Sequence, residues 1–112
     1  MKKIEAFIRH EAFEPIRAEL LDKGFPSLSI LEAKGSGRQK GIVERYRGST
    51  LTVNVRPKIK LEVVLPDHLV SRTVETILKT AKTGKIGDGK IFISRIEEAI
   101  RIRNEERGEG AL

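Results

Sequence analysis

Residues 58–96 carry the pattern that decides the fold, KIKLEVVLPDHLVSRTVETILKTAKTGKIGDGKIFISRI. Every second residue of 58–65 is apolar (Ile59, Leu61, Val63 and Leu65), which predicts a strand with one buried face. Asp67 is placed to cap a helix that follows. The helix has apolar residues at helical spacing: Leu69, Val70, Val74, Ile77, Leu78 and Ala81. The apolar run at 91–96 predicts another strand, so this stretch is a β-α-β unit.

The connection between this helix and the last strand is unusually rich in glycine. Residues 83–90 are Thr-Gly-Lys-Ile-Gly-Asp-Gly-Lys, with three glycines and two lysines in eight positions. Glycine lets backbone N–H groups approach a ligand closely, and successive amides form a concavity that binds anions. A plain surface turn would need one glycine. The segment therefore predicts a phosphate cradle.

Two common phosphate motifs are excluded. Gly84 to Lys90 has the glycine and lysine spacing of a P-loop, but Ile91 stands where Ser or Thr is needed, and a strand follows instead of a helix. Gly35, Gly37 and Gly41 have the wrong final spacing for a dinucleotide fingerprint, and no helical pattern follows them.

The N-terminal half repeats the β-α-β order. Residues 4–8 alternate as a strand, 12–23 have helical spacing with Gly24 as a stop, and 28–35 alternate again. We therefore predict an α+β, ferredoxin-like βαββαβ domain over residues 1–112, with a four-stranded antiparallel sheet and both helices on one face. Residues 100–103 are expected to be a short final strand or extended segment, and 104–112 a frayed tail.

Residues 36–56 form a polar excursion between the two units. Structureless connections of this length are uncommon in compact domains and are usually functional or disordered. Residues 42–46 and 50–55 have β character on either side of Arg47-Gly48-Ser49. A long hairpin that reaches out to a partner fits this pattern best.

The composition limits the class of protein. The chain has 112 residues, a formal net charge of +6 and no cysteine, which excludes disulfides and thiolate metal sites and favours anionic partners. No signal peptide and no membrane-spanning run is present, so a cytoplasmic protein is expected. The five aromatic residues are not interleaved with basic stretches, which disfavours nucleic-acid binding.

Several segments together resemble the PII nitrogen-regulatory signal proteins. They are 35–41 (GSGRQKG), 46–48 (YRG), 57–58 (PK), 83–92 (TGKIGDGKIF) and 101–103 (RIR). The resemblance extends from Met1 to about Arg103 without an evident gap. It implies a trimer of ferredoxin-like subunits that binds ATP or ADP in clefts between subunits, and it implies no enzymatic activity.

The resemblance also assigns residues to the ligands. Those implied for the nucleotide are Ser29, Gly35, Gly37, Arg38, Gln39, Val64, Gly87, Asp88, Gly89, Lys90, Arg101 and Arg103. A second ligand, 2-oxoglutarate, is implied beside ATP and Mg²⁺, with Gln39 as the protein ligand of the metal. Its carboxylates would be met by Arg9, Gln39, Lys40, Lys58 and Gly87.

The family docks to its targets through the long loop. Tyr46, Arg47, Gly48 and Ser49 are therefore the expected partner-binding residues, and an ammonium transporter, metabolic enzyme or regulator is the expected partner. Through a transporter the protein would associate with the membrane. Many bacterial members carry a modifiable tyrosine at the position of Leu51; leucine has no hydroxyl, so nucleotidylation there is chemically impossible.

Other functions remain open from the residues alone. A divergent member would sense the ATP/ADP ratio and another small anion in place of 2-oxoglutarate. An RNA-binding ferredoxin-like domain would need an aromatic strand motif that these strands lack. An enzyme would need a nucleophile, base and carboxylate set, and none is evident around His10 or His68.

Overall fold

The computed structural model describes residues 1–25, 27–36, 42–46, 49–53 and 55–112, with backbone only at 36, 42–46, 49–53 and 55. Its strands are β1 (Lys2–Ile8), β2 (Ser29–Ser36), β3 (Ile42–Tyr46), β4 (Ser49–Val53), β5 (Val55–Leu65) and β6 (Lys90–Arg95). Its helices are α1 (Phe13–Asp22) and α2 (Asp67–Ala81), with short 3₁₀ helices at His10–Ala12 and Gly108–Ala111.

Four strands form one antiparallel sheet in the order β2-β5-β1-β6. The two β-α-β units interleave, because β5 of the second unit lies between β1 and β2 of the first. This is the predicted α+β, ferredoxin-like arrangement. Strands β3 and β4 pair separately as a hairpin, with Tyr46 opposite Ser49, so the predicted hairpin between the units is also confirmed.

The core lies between the sheet and both helices, as the alternating pattern predicts. Its buried side chains are Ile4, Ala6, Ile8, Ile16, Leu20, Phe25, Ile59, Leu61, Val63, Leu65 and Ile77. Two buried threonines of α2 are satisfied locally: Thr73 donates to the Leu69 carbonyl at 2.8 Å and Thr76 to the Arg72 carbonyl at 2.9 Å. The helices therefore cover one face of the sheet.

The other face of the sheet carries charged and aromatic side chains. Lys60 lies between two carboxylates, 3.1 Å from Glu5 and 2.8 Å from Glu62. Phe7 and Phe92 meet edge to face with their ring centroids 6.1 Å apart. Since Phe92 is 54% exposed, the face presents apolar area as well as charge.

Several boundaries differ from the prediction. Helix α1 begins at Phe13 after a 3₁₀ turn, and β5 begins at Val55, three residues early. Pro66 is the N-cap of α2, and Asp67 is the first helical residue. The Asp67 carboxylate binds the Met1 ammonium and Lys2 at 3.1 Å each. Its predicted capping role is therefore wrong, because the strand end opposite it supplies stronger partners.

The C-terminal segment is not the predicted strand and frayed tail. Ile100 forms an isolated bridge with Arg107, and residues 102–104 make a turn. Arg101 N–H donates to the Glu106 carbonyl and Glu105 N–H to the Arg101 carbonyl, both at 2.8 Å. The tail therefore folds back on 99–101. Among the described residues, no helix is long and apolar enough to cross a membrane.

Candidate anion-binding site

The glycine-rich loop between α2 and β6 is closed by one side chain, Asp88. One carboxylate oxygen accepts the N–H groups of Thr83 at 2.8 Å and Gly84 at 2.9 Å. The other oxygen accepts the Thr83 hydroxyl. The sequence analysis predicted that Asp88 is part of the phosphate cradle. In the structure, the Asp88 carboxylate holds the ends of the loop together and shapes the loop backbone.

The loop needs its glycines for two different reasons. Gly84, Gly87 and Gly89 have φ of +83°, +103° and +106°, a region that other residues rarely adopt. At Gly89 a Cβ would also lie 1.6 Å from the Phe7 carbonyl oxygen. The backbone therefore passes β1 at a distance that only glycine allows, and this contact sets the start of β6.

Two cationic side chains from other elements reach the loop. Arg9, just after β1, donates to the Ile86 carbonyl at 2.8 Å and lies 3.4 Å from the Asp88 carboxylate. The Lys58 ammonium, from β5, donates to the Gly87 carbonyl. The structure thus brings together four predicted residues (Arg9, Lys58, Gly87 and Asp88) from three parts of the chain.

The electrostatics of the loop follow from these contacts. The hydrogen bonds from the Thr83 hydroxyl and amide, then that from Gly84, lower the pKa of Asp88 to about 2. Partial burial, followed by the nearby charge of Arg9, lowers the pKa of Lys58. A negative charge placed beside Lys58 would oppose this lowering of its pKa.

Of the remaining described residues of the predicted nucleotide site, Lys90 and Gly35 lie near this corner, whereas Ser29 and Val64 do not. Lys90 begins β6 opposite Phe7. Gly35 lies in β2, where a Cβ would be 3.5 Å from Cγ of Lys58. Ser29, opposite Glu62, and Val64, opposite Lys3, lie further along the same sheet.

Arg101 and Arg103 are not brought to the loop within one chain. In the described contacts, the Arg101 guanidinium pairs with Glu106 at 2.6 Å and donates to the Gly110 carbonyl at 2.8 Å. Arg103 is exposed in the following turn. The two arginines do not lie on a strand as expected for 100–103, because residues 102–104 form a turn.

Some predicted residues lie outside the described residues. They are Gly37, Arg38, Gln39 and Lys40 at the start of the long loop, and Arg47 and Gly48 at its tip. Tyr46 and Ser49 are described as backbone positions, which pair at the end of the β3–β4 hairpin. Among the described residues, no group of three or more acidic or histidine side chains is arranged to hold a metal ion.

Three contributors to the site were missed by sequence reasoning. Thr83 supplies a hydroxyl and an amide to Asp88, and the Ile86 carbonyl receives Arg9. Glu106 holds Arg101. A threonine five residues before an aspartate in a glycine-rich turn was a usable local signal; the Arg9 contact, 77 residues distant in sequence, had none.

The chain is similar to known proteins along nearly its whole length. The family model "Nitrogen regulatory protein P-II" matches residues 1–106. Relatives named nitrogen regulatory protein P-II are 52% identical in Haemophilus influenzae and 50% identical in Rhodobacter capsulatus. Nitrogen regulatory protein P-II 1 of Escherichia coli is 46% identical. Each alignment covers 100% of both chains.

The chain combines a glycine-rich loop, a four-stranded ferredoxin-like sheet and a separately paired hairpin between its two β-α-β units. The chain belongs to the nitrogen regulatory protein P-II family. Its relatives are named as regulatory proteins, not as enzymes.

Proposed function

We propose that this protein is a homotrimeric, non-enzymatic signal protein that binds ATP or ADP in clefts between subunits. ATP with Mg²⁺ and 2-oxoglutarate would favour one arrangement of the 36–56 loop, and ADP another. The loop would then dock to an ammonium transporter or to a metabolic enzyme or regulator. A ligand shifts such an equilibrium only by its different affinity for the two arrangements.

The observation that carries the proposal is the loop at 83–90 with its two added cations. Asp88 and the glycines shape its backbone, and Arg9 and Lys58 donate to the carbonyls of Ile86 and Gly87. Glycine amides and cationic side chains match the oxygens of phosphates and carboxylates. The site is therefore suited to a polyanion and not to a free metal cation.

The position of the arginines supports a site shared between copies. Lys90 begins β6 and pairs with Phe7, whereas Ile96, just beyond its other end, donates to the Met1 carbonyl. A strand of this length spans roughly 20 Å. If Lys90 and Arg101 both bind the phosphates, a second copy supplies the arginine, as the resemblance implies for a trimer.

Magnesium fits this proposal only together with a phosphate. The described residues near the loop supply cations and amides, so the protein would contribute few metal ligands, and Gln39 is the proposed one. Magnesium commonly takes one or two protein ligands and completes its shell with phosphates and water. Bound there, the ion would neutralise phosphate charge beside the 2-oxoglutarate carboxylates.

Calorimetry tests the proposal directly. ATP with Mg²⁺, ADP, and 2-oxoglutarate in the presence of each nucleotide are titrated into the protein. We expect both nucleotides to bind and 2-oxoglutarate to bind only with Mg-ATP. Lys58→Met should abolish the 2-oxoglutarate response, while Lys79→Met, an equal change of charge on exposed α2, should leave it intact. Absence of nucleotide binding would contradict the proposal.

The second candidate is an adenylate sensor with a different second ligand. It is favoured by Glu11, whose negative charge acts on Lys58 and would repel the carboxylates of 2-oxoglutarate. In that case both nucleotides bind but 2-oxoglutarate gives no heat with either. Titration of other small dicarboxylates with Mg-ATP would then identify the ligand class.

A further inference from the structure

Two groups of the C-terminal tail accept hydrogen bonds from the Arg101 guanidinium. Glu106 accepts from Nη1 of Arg101 at 2.6 Å, and the Gly110 carbonyl accepts from Nη2 at 2.8 Å. Both partners come from within nine residues of the arginine. A guanidinium is planar, and two bonds to its different nitrogens fix its orientation as well as its position.

The backbone around this contact is built to maintain it. Arg101 and residues 105–106 exchange two backbone hydrogen bonds at 2.8 Å, and Gly108 N–H donates to the Ala99 carbonyl at 3.0 Å. Glu105 takes a positive φ of 58° to make the turn. This conformation is uncommon for a residue other than glycine, so the surrounding bonds offset its cost.

Asn104 contacts Glu106 twice. The Glu106 backbone N–H donates to the Asn104 side-chain oxygen at 3.1 Å, and the Asn104 side-chain nitrogen donates to the Glu106 carboxylate at 3.5 Å. A second acidic side chain, Glu98, accepts the Gly108 N–H at 3.1 Å and lies 3.6 Å from Arg107. Side-chain contacts therefore hold the tail in place both at Glu106 and at 107–108.

We propose that Glu106, with the Gly110 carbonyl, is a positioning element that holds the Arg101 guanidinium ready for the phosphates of a nucleotide. This inference rests on the proposed function, in which Arg101 binds phosphate. The Arg101 side chain is 32% exposed, so part of the guanidinium remains accessible to a ligand. Preorganising a long side chain lowers the entropy that is lost when the ligand binds.

A competing effect has the opposite sign. The Glu106 carboxylate offsets the charge of Arg101, which would weaken its attraction for phosphate. Because the pair is about two-fifths exposed at Glu106, solvent screens this attraction, whereas the orientation of the guanidinium depends on geometry and not on screening. We therefore expect positioning to dominate.

The test measures Mg-ATP affinity by calorimetry in a set of matched variants of the full chain. Glu106→Gln is compared with Glu109→Gln, which raises the net charge equally from an exposed position of the same tail. We expect Glu106→Gln to bind Mg-ATP about threefold to tenfold more weakly than Glu109→Gln. Glu106→Asp should retain part of the affinity, and the thermal unfolding midpoints should show that all variants fold.

A double-mutant cycle separates positioning from a general structural role. In an Arg101→Ala background, Glu106→Gln should have no further effect on Mg-ATP affinity, because its influence passes through the guanidinium. An equal loss in both backgrounds would overturn the inference, as would equal affinities of the two glutamine variants. Tighter binding by Glu106→Gln would show that the carboxylate competes with phosphate.

The same titrations keep this inference separate from the proposed function. If the unsubstituted protein does not bind Mg-ATP, the nucleotide-sensing function fails and this inference fails with it. If Mg-ATP binds and the cycle shows no coupling between Glu106 and Arg101, only the positioning role is overturned.

Discussion

Asp88 and Thr83 close the glycine-rich loop upon itself, with the Thr83 N–H 2.8 Å from one carboxylate oxygen and the Thr83 hydroxyl donating to the other. Thr83 lies two residues after α2 and Asp88 two residues before β6, so their contact sets the width of the loop between them. An anion that binds the loop backbone depends on this width.

Removing the Thr83 hydroxyl should weaken anion binding without unfolding the protein. Thr83→Val keeps the branched shape and loses one hydrogen bond to Asp88, so we expect Mg-ATP affinity to fall roughly threefold to tenfold. Thr83→Ser retains the hydroxyl and is the matched control. Calorimetric titration measures the Mg-ATP affinity of both variants. Equal affinities would show that the Thr83 hydroxyl does not shape the site.

The Asp88 contacts should make the loop sensitive to strong acid. The pKa of Asp88 is lowered from 3.8 to about 2, so its stabilising contribution is fully present above pH 3.8 and is lost as the pH falls through about 2. We expect the Asp88 carboxyl carbon to titrate near pH 2 by NMR. A midpoint near 3.8 would mean that the hydrogen bonds to Thr83 and Gly84 are absent in solution.

Gly89 should be harder to replace than Gly84 of the same loop. A Cβ there meets the Phe7 carbonyl at 1.6 Å and φ is +106°, so Gly89→Ala is expected to cost about 3 kcal/mol or more through strain and displacement of β6. The thermal midpoint should fall by about 10 °C or more.

Gly84→Ala is the control for the Gly89 substitution. Its φ of +83° is also left-handed, but a Cβ there would meet nothing within 4 Å. We expect a cost of only about 1 kcal/mol. Similar losses at the two positions would show that the approach to Phe7 is looser than the structure has it.

Arg9 should order the loop in a way that lysine cannot. Its guanidinium donates to the Ile86 carbonyl at 2.8 Å while lying 3.4 Å from Asp88, and a single ammonium cannot reproduce this fork. In Arg9→Lys we expect the amides of 83–88 to exchange with solvent several-fold faster. Arg17→Lys is the control, because Arg17 pairs with exposed Glu14 on α1, away from the loop. This substitution should leave the exchange rates of the 83–88 amides unchanged.

Most of the fold could be predicted from local patterns in the sequence. The alternation in β1 and β5 reflects which side chains face the core and was confirmed by burial. The helical spacing of α2 was confirmed only in part: Ile77 is buried, but Leu78 is 51% exposed, and Thr73 and Thr76 are buried although they were not predicted. The wrong predictions concern residues whose conformation depends on a partner that is not adjacent in the sequence. Asp67 binds the Met1 ammonium instead of capping α2, and 100–103 turns because the tail folds back to Arg101.

By itself, the sequence determined the α+β class, the glycine-rich loop at 83–90 and the absence of a modifiable hydroxyl at Leu51, because these depend on residue type and short-range spacing. The tertiary structure alone decided that Arg9 and Lys58 reach the loop from positions 77 and 29 residues away, and that Gly89 must pass the Phe7 carbonyl. Such contacts depend on the order of strands in the sheet, and strand order is set by how two β-α-β units interleave to bury a shared core.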